Sequence, residues 1–194
     1  MADLLKMDPA RIARLRDPAR LALADPERVL TVTAPLGDGP IVDVGAGVGY
    51  VALPFARRFP TRRVIAADVL PGMLALLDEA AASAGLANLE TALMPGPATV
   101  PVPAATASLA IMLQVHHELD DPIALLQECR RILAPGAPIV IVDWRAENQP
   151  GIPQGGRRVP QTTIAEHLAA AGFAAIANHD LYPAHSTTIG TAPA

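Results

Sequence analysis

The stretch that most limits how this chain can fold is Ile41 to Tyr50, Ile-Val-Asp-Val-Gly-Ala-Gly-Val-Gly-Tyr. Residues Ile41 to Val44 read as a buried strand. Gly45-Ala46-Gly47-Val48-Gly49 follows, and then an apolar stretch of helical character. A strand that runs through such a turn into a helix exposes bare backbone to a ligand, because a Cβ would block the turn or the ligand's approach. The remaining segments read as the sheet and helices that support this turn.

Four Asp-Pro pairs punctuate the chain, at Asp8-Pro9, Asp17-Pro18, Asp25-Pro26 and Asp121-Pro122. Asp accepts an amide hydrogen bond at a helix start, and Pro fits the first helical position, where its missing N–H costs nothing. Residues 9–34 therefore read as two or three short helices whose arginines, at 11, 14, 16, 20 and 28, form a wet face. After the glycine turn, residues 50–59 read as a helix with a first turn distorted by Pro54. Val64 to Ala67 is a second buried strand ending at Asp68. A helix opens at Pro71 and stops at Gly85, with Met73, Leu74, Leu77, Ala81 and Ala84 at helical spacing.

Leu89 to Leu93 is a third strand, and Pro95 to Pro103 a proline-rich loop. Leu109 to Val115 is an apolar run suited to a strand buried on both faces. Asp121-Pro122 starts a helix with Ile123, Leu126, Cys129, Ile132 and Leu133 inward, ended by Pro135-Gly136. Ile139 to Val142 is a fifth strand, closing with Asp143-Trp144. Residues 145–160 form a long loop of the kind that carries function. Thr163 and Glu166 suggest a capping box for the next helix. Strands at 174–181 and 185–191 complete the chain. The alternation gives a parallel, doubly wound α/β sheet with an antiparallel pair at its end.

The length, 194 residues, suits a single domain over 1–194, and 51% hydrophobic residues can bury a sizeable core. It divides into an N-terminal helical segment (1–40), a core (41–143), an active-site loop (144–160) and a C-terminal helix and strand pair (161–194). A formal charge of −4 gives no electrostatic footprint for nucleic acid. Cys129 is the only cysteine, which excludes an intramolecular disulfide and a multi-cysteine metal site; no metal is expected. The charged N-terminus lacks the apolar core of a signal peptide, and no apolar run reaches the ~18 residues of a membrane span. A cytoplasmic protein with no membrane partner is the expectation.

The spacing at the turn selects the ligand. The dinucleotide fingerprint is G-x-G-x-x-G, whereas this chain has G-x-G-x-G with Tyr50 and Val51 beyond it. No Walker lysine follows. Asp43, two positions before the first glycine, offers a carboxylate to an ammonium group. Asp68, 19 residues after Gly49, ends the next strand and can accept both hydroxyls of a ribose. One acid for an amine and one for a ribose, without a phosphate cradle, describes S-adenosylmethionine.

The chain resembles the class I S-adenosylmethionine-dependent methyltransferases, in particular their small methyltransferase-domain group. The resemblance rests on Val42 to Tyr50, Ala67 to Leu74, Val115 to Leu119, and Arg131 to Gly136 followed by Ile139 to Asp143. It implies a Rossmann-like, doubly wound sheet of seven strands, mostly parallel with the last strand antiparallel. By resemblance, Asp43, Gly45, Ala46, Gly47 and Gly49 hold the methionine moiety and Asp68 the ribose. Val69 and Met73 pack near the adenine, and Gln114 touches the cofactor through its backbone. Gly96 stands where the family often has an acid near the adenine, and Ser108 where an Asp is common.

His116 and His117, at the carboxyl end of the fourth strand, are candidates for taking a proton from a hydroxyl or amine nucleophile. Positioning the following segment is the alternative, and methyl transfer to a good nucleophile can proceed by proximity alone. Asp143 ends the fifth strand and is a third candidate. Arg157 and Arg158 are solvated or close over an anionic substrate; Tyr182 and His185 read as packing, and Cys129 as a buried small hydrophobe. The expected activity is methyl transfer to a small-molecule O, N or C nucleophile. The rivals are a non-catalytic S-adenosylmethionine-binding subunit or sensor and, more distantly, a nicotinamide oxidoreductase.

Overall fold

The computed structural model describes residues 8–147 and 156–194. Three short helices precede the sheet: α1 (Pro9–Leu15), α2 (Arg20–Ala24) and a 3-10 helix, Pro26–Thr31. Asp8 Oδ1 accepts the Ala10 N–H and Asp25 Oδ1 the Glu27 N–H, each with proline opening the helix. Then come β1 (Ile41–Val44), α3 (Ala52–Arg58), β2 (Val64–Asp68), α4 (Pro71–Ser83), β3 (Leu89–Leu93) and β4 (Leu109–Leu113). A 3-10 turn, His116–Glu118, leads to α5 (Pro122–Ile132), β5 (Pro138–Trp144), α6 (Gln161–Ala170), β6 (Ala174–His179) and β7 (His185–Thr191).

The strands form one sheet in the order β3-β2-β1-β4-β5-β7-β6. The neighbours from β3 to β5 pair in parallel, and β7 runs antiparallel to both β5 and β6. This is the Rossmann-like sheet implied by the resemblance. The chain winds outward from β1 to β3 and then returns to β4 beside β1. Ligands in open α/β sheets bind outside the strand ends at such a reversal.

Side-chain alternation builds the two layers. Val42, Val44, Ile65, Ala67, Ala110, Met112, Ile139 and Ile141 share a core with Leu126, Cys129 and Ile132 of α5 and Ile164 and Leu168 of α6. Their neighbours Ile41, Val64, Ala66, Leu109, Ile111, Val140 and Val142 face the other way, onto Phe55 of α3 and Leu77 of α4. A period of two splits each strand between two helical layers, which is why these strands read as unbroken apolar runs. Phe55 is fully buried, so Phe55→Ala would cost about 3–5 kcal/mol.

Several boundaries differ from the sequence reading. The helix after the glycine turn starts at Ala52, so Pro54 falls in its first turn, where a missing N–H is harmless. The fourth strand ends at Leu113 because Gln114 takes a left-handed φ of 58°. α5 stops at Ile132, where Leu133 turns extended, before Pro135-Gly136. Thr163 is not a cap: α6 begins at Gln161, and Ile164 N–H bonds to the Pro160 carbonyl. The earlier start puts Ile164 and Leu168 fully inside. The first of the last two strands stops at His179, with an irregular register between Ala174 and Ala177. Residues 148–155 of the long loop and residues 1–7 lie outside the described residues.

Candidate functional site

The carboxyl ends of β1, β2, β4 and β5 open on a cavity of about 1270 Å³, covered by α1 and α2. The glycine turn forms one wall. Gly45, Gly47 and Gly49 all have positive φ, at 76°, 53° and 89°. Their surroundings differ. A Cβ on Gly45 would stand 2.5 Å from Val115 Cγ2, and one on Gly49 would stand 2.3 Å from Leu77 Cδ1. A Cβ on Gly47 would meet nothing within 4 Å. Packing therefore requires the outer two glycines, and the middle one borders ligand space.

Asp68 is bound to that turn. Its Oδ2 accepts the Gly47 N–H at 2.8 Å, and its Oδ1 accepts the Leu70 N–H at 2.9 Å. A carboxylate has about four acceptor positions, so capacity remains for ligand hydroxyls. Val69, 40% exposed, together with Met73, Met94 and the Pro95-Gly96-Pro97 segment, makes an apolar slot alongside. Ser108 has no part in it. It is fully buried at the opposite end of β4, where its hydroxyl donates to the Gly39 carbonyl and accepts from Arg62.

Two residues of the glycine motif sit behind the wall. Gly49 packs on Leu77, and Asp43 is 2% exposed and does not line the cavity. Asp43 Oδ2 accepts the Ala52 N–H at 3.0 Å. Val51 precedes α3 and offers no side-chain cap, so Asp43 supplies the missing acceptor. Burial pushes the Asp43 carboxyl up to about 7; the Ala52 bond opposes this and the nearby charge of Asp68 adds to it. Ala46, Gly45, Gly47, Asp68, Val69, Met73 and Gln114 all line the cavity.

The other end of the cavity holds a histidine dyad. His117 Nδ1 lies 2.7 Å from Oδ1 of Asp143, and the His117 backbone N–H donates to Asp143 Oδ2 at 2.8 Å. Asp143 is 1% exposed and also accepts the Trp144 N–H. Burial alone would lower the His117 pKa. The hydrogen bond and charge of Asp143 outweigh it and raise the value above 6.5. His117 lines the cavity, as does Trp144. His116 points away: it is buried, its Nε2 lies 3.3 Å from His167 Nδ1, and burial lowers its pKa to about 4. The 3-10 turn sends the two adjacent histidines in opposite directions.

Gln114 joins the two ends. Its left-handed backbone is uncommon for a non-glycine residue and occurs where surroundings over-determine it. Its Oε1 accepts from Arg20 Nη2 at 2.8 Å, so its amide nitrogen, 2.8 Å from His185 Nε2, is the donor there. His185 is fully buried, and burial lowers its pKa to about 4, so it is a neutral acceptor at neutral pH.

The N-terminal arginines do not form one wet face. Arg11, Arg14 and Arg20 line the cavity, and the Arg20 guanidinium lies 4.1 Å from the centroid of the Tyr50 ring. A five-residue helix has too little periodicity to show this in sequence. Tyr50 and Tyr182 donate their hydroxyls to the Ala24 and Asp25 carbonyls, tying this segment to the sheet. Arg158 lies 4.9 Å from the Trp144 ring centroid at the cavity, and Arg157 donates to the Leu119 carbonyl. Cys129 is buried, its thiol pushed up to about 12 by burial.

The fold and site define an α/β protein with a cavity at the reversal of its sheet, walled by a glycine turn and a carboxylate that keeps acceptor capacity. A family profile described as "Methyltransferase domain" matches residues 41–136. A "SAM dependent methyltransferase" from Aquifex aeolicus superposes with a TM-score of 0.87 at 27% identity, covering 96% of this chain and 100% of that one. A phosphoethanolamine N-methyltransferase 2 from Haemonchus contortus, in complex with S-adenosyl-L-methionine, shares the fold with a TM-score of 0.72 at 14% identity, over 88% of this chain and 52% of that one. In sequence, a malonyl-[acyl-carrier protein] O-methyltransferase of Hahella chejuensis (strain KCTC 2396) is 30% identical over 141 residues, which are 68% of this chain. The chain spans about half the length of that curated relative, 48%.

The chain is similar to the class I S-adenosylmethionine-dependent methyltransferases, and its cofactor is S-adenosyl-L-methionine. The residues present fit that cofactor. Gly47 leaves space where a Cβ would intrude, Asp68 retains acceptor capacity beside it, and the exposed Val69 offers an apolar face next to the carboxylate.

Proposed function

We propose that this protein transfers a methyl group from S-adenosylmethionine to an oxygen or nitrogen of a small-molecule acceptor. One observation carries the reading: a single cavity joins the Gly47–Asp68 wall to the His117–Asp143 dyad. At about 1270 Å³ it exceeds the ~300–1,000 Å³ of an ordinary single-ligand pocket, leaving room for cofactor and acceptor together. When bound, the cofactor supplies an electrophilic methyl group on a sulfonium.

The roles follow the geometry. Gly45, Ala46 and Gly47 take the methionine portion against bare backbone, Asp68 takes the ribose hydroxyls, and Val69 and Met73 take the adenine. Asp43 and Gly49 act behind them by holding the turn and the start of α3. His117 is the general base. With its Nδ1 proton held by Asp143, its Nε2 accepts the proton of an O–H or N–H acceptor as the new bond to carbon forms. Trp144 and Gln114 wall the acceptor side. The relative named for O-methyl transfer favours oxygen as the acceptor atom. The helices α1 and α2 border the site on one side, and Trp144 and Arg158 border it on the other.

The test is incubation with methyl-labelled S-adenosylmethionine and a small-molecule extract, followed by mass identification of any metabolite that gains one CH₂. Label appearing in a small molecule, and lost in His117→Gln, is the expected result. Cofactor binding without turnover on any fraction would overturn methyl transfer and leave a binding subunit or sensor. Label appearing only in protein would overturn the small-molecule acceptor.

A further inference from the structure

His117 has a second acid beside it, on the side of the ring away from Asp143. His117 and Glu118 share the 3-10 turn after β4, where the Glu118 N–H donates to the Val115 carbonyl at 2.9 Å. Asp143 holds Nδ1, and Glu118 Oε1 lies 3.9 Å from Nε2. That separation is beyond hydrogen-bond range, so the Nε2 lone pair of the neutral imidazole stays available to an acceptor. The same Oε1 lies 3.7 Å from Nη2 of Arg11 on α1. One carboxylate oxygen thus stands between the base and a guanidinium of the covering helix, and all three residues line the cavity. The two acids are not equivalent. Asp143 is buried, whereas the Glu118 side chain is 35% exposed and can exchange protons with water.

We propose that Glu118, held by Arg11, is a positioning residue for the base: it pairs with the proton that His117 takes up at Nε2 and passes that proton to solvent. The inference rests on the proposed methyl-transfer reading. In that reaction the O–H or N–H proton of the acceptor goes to Nε2, and the electron pair it leaves forms the new bond to carbon. The sulfur keeps the pair of the bond that breaks. His117 is then a cation with its Nε2–H toward Glu118, and the opposite charges draw the pair into a charge-assisted hydrogen bond. Transfer of the proton to Glu118 and on to water restores the neutral base. The other charged groups around His117 do not fill this role. Arg158 repels the imidazolium, His116 on the same turn is neutral, and Asp121 caps α5 through the Ala124 N–H. Asp120 is exposed on the loop beyond the turn. Burial lowers the His117 pKa; the bond and charge of Asp143 and then the charge of Glu118 raise it.

The test is a pH titration of the histidine side chains by ¹H–¹⁵N NMR on wild type, Glu118→Gln, Glu118→Asp and Arg11→Gln. The chain has five histidines, and the His117 signals are those missing in His117→Gln. Glu118→Gln should lower the His117 midpoint by about half a pH unit, the size expected of a partly exposed ion pair, with partial recovery in Glu118→Asp. Arg11 gives the sharper result, because two effects have opposite signs there. Deleting its positive charge alone would raise the His117 midpoint, whereas releasing Glu118 lowers it. Arg11→Gln should lower it, and adding Arg11→Gln to Glu118→Gln should lower it no further. Thermal melts establish that each variant is folded. In the extract fraction that wild type labels, Glu118→Gln should move the acidic limb of kcat/KM to lower pH by the same amount and reduce kcat several-fold. An unchanged His117 midpoint in Glu118→Gln, or a raised one in Arg11→Gln, would overturn the proposal. The titration needs no acceptor. Absence of labelling by wild type would remove the methyl-transfer reading, and the midpoints then decide the Glu118–His117 pairing on their own.

Discussion

The imidazole Nδ1 of His117 stands 2.7 Å from the buried Oδ1 of Asp143, while the second oxygen of that carboxylate accepts the His117 backbone N–H. Side chain and main chain of one histidine are thus fixed by one acid. The arrangement holds the Nδ1 proton in place, leaves Nε2 as the basic atom, and raises the His117 pKa above its ordinary 6.5. A base works when neutral, so kcat/KM should fall as pH drops through a value above 6.5. Asp143→Asn should move that acidic limb to lower pH, because burial is then opposed only by the weaker charge of Glu118, 3.9 Å from His117 Nε2. His117→Gln should lower kcat by about 10²–10⁴-fold, the usual contribution of a general base. The folding linkage has the opposite sense. A histidine with a raised folded pKa stabilises the fold below 6.5, and that contribution disappears as pH rises through the folded value. A pH–rate profile of wild type beside Asp143→Asn checks the first claim; an identical acidic limb in both would contradict it.

The three glycines of the turn should separate into two phenotypes. Gly45→Ala and Gly49→Ala place a Cβ within 2.5 Å and 2.3 Å of Val115 and Leu77 side chains, so both should lower stability. Overpacking costs about 1–3 kcal/mol, added to about 1–2 kcal/mol for a left-handed non-glycine backbone. Gly47→Ala carries only the backbone cost, since its Cβ meets nothing within 4 Å, yet it enters ligand space. It should lose about 1–2 kcal/mol, less than the other two variants, and bind S-adenosylhomocysteine poorly. Denaturant titration and calorimetry on all three variants give the comparison; intact binding by Gly47→Ala would disprove the assignment.

The sheet was legible because its strands are apolar on both faces. Ile41 to Val44, Val64 to Asp68 and Ile139 to Val142 stand out as short apolar runs between glycines, prolines and acids, and each became a buried strand. Ends governed by backbone geometry were less visible. Nothing in the letters of Leu113-Gln114-Val115 announces a positive φ at Gln114, which depends on contacts to Arg20 and His185 from distant segments. The same limit hid Arg20 in an apparently wet helix and concealed that His116 and His117 point in opposite directions. That Asp68 lines the cavity follows from its place at the carboxyl end of β2, because position on a strand fixes where a terminal acid points. Asp43, also on a strand, accepts the N–H of Ala52 at the start of α3, a partner that its place in the sequence did not announce.

Asp68 links backbone and ligand, so its variants should act on both. Asp68→Ala frees the Gly47 and Leu70 N–H groups and removes the ribose acceptor. Loss of charged hydrogen bonds should weaken cofactor binding by roughly 1.5–3 kcal/mol. Asp68→Asn keeps one acceptor oxygen and should fall between the two. Adenosine separates ribose recognition from the rest of the cofactor: its affinity should drop in parallel with that of S-adenosylhomocysteine. Unchanged adenosine affinity in Asp68→Ala would mean that the ribose is held by other groups.

Asp43 gives a test with a sign that a ligand-facing acid would reverse. Its folded-state pKa is raised from 3.8 to about 7, because burial disfavours the charged form. For an acid shifted upward, the favourable contribution is complete below the unfolded value and is lost as pH rises through the folded value. Wild-type stability should therefore decline between about pH 4 and pH 8 through this residue, since ionising a buried acid costs free energy. Asp43→Asn presents the same oxygen to the Ala52 N–H and cannot ionise. It should flatten that decline, with a Tm gain over wild type that is larger at pH 8 than at pH 5. Because Asp43 lies behind the cavity wall, affinity for S-adenosylhomocysteine should be preserved. Thermal melts at the two pH values and a calorimetric titration at pH 8 are sufficient. A variant with wild-type pH dependence and greatly weakened binding would place the Asp43 carboxylate on the cofactor's amino group and contradict its role as the anchor of α3.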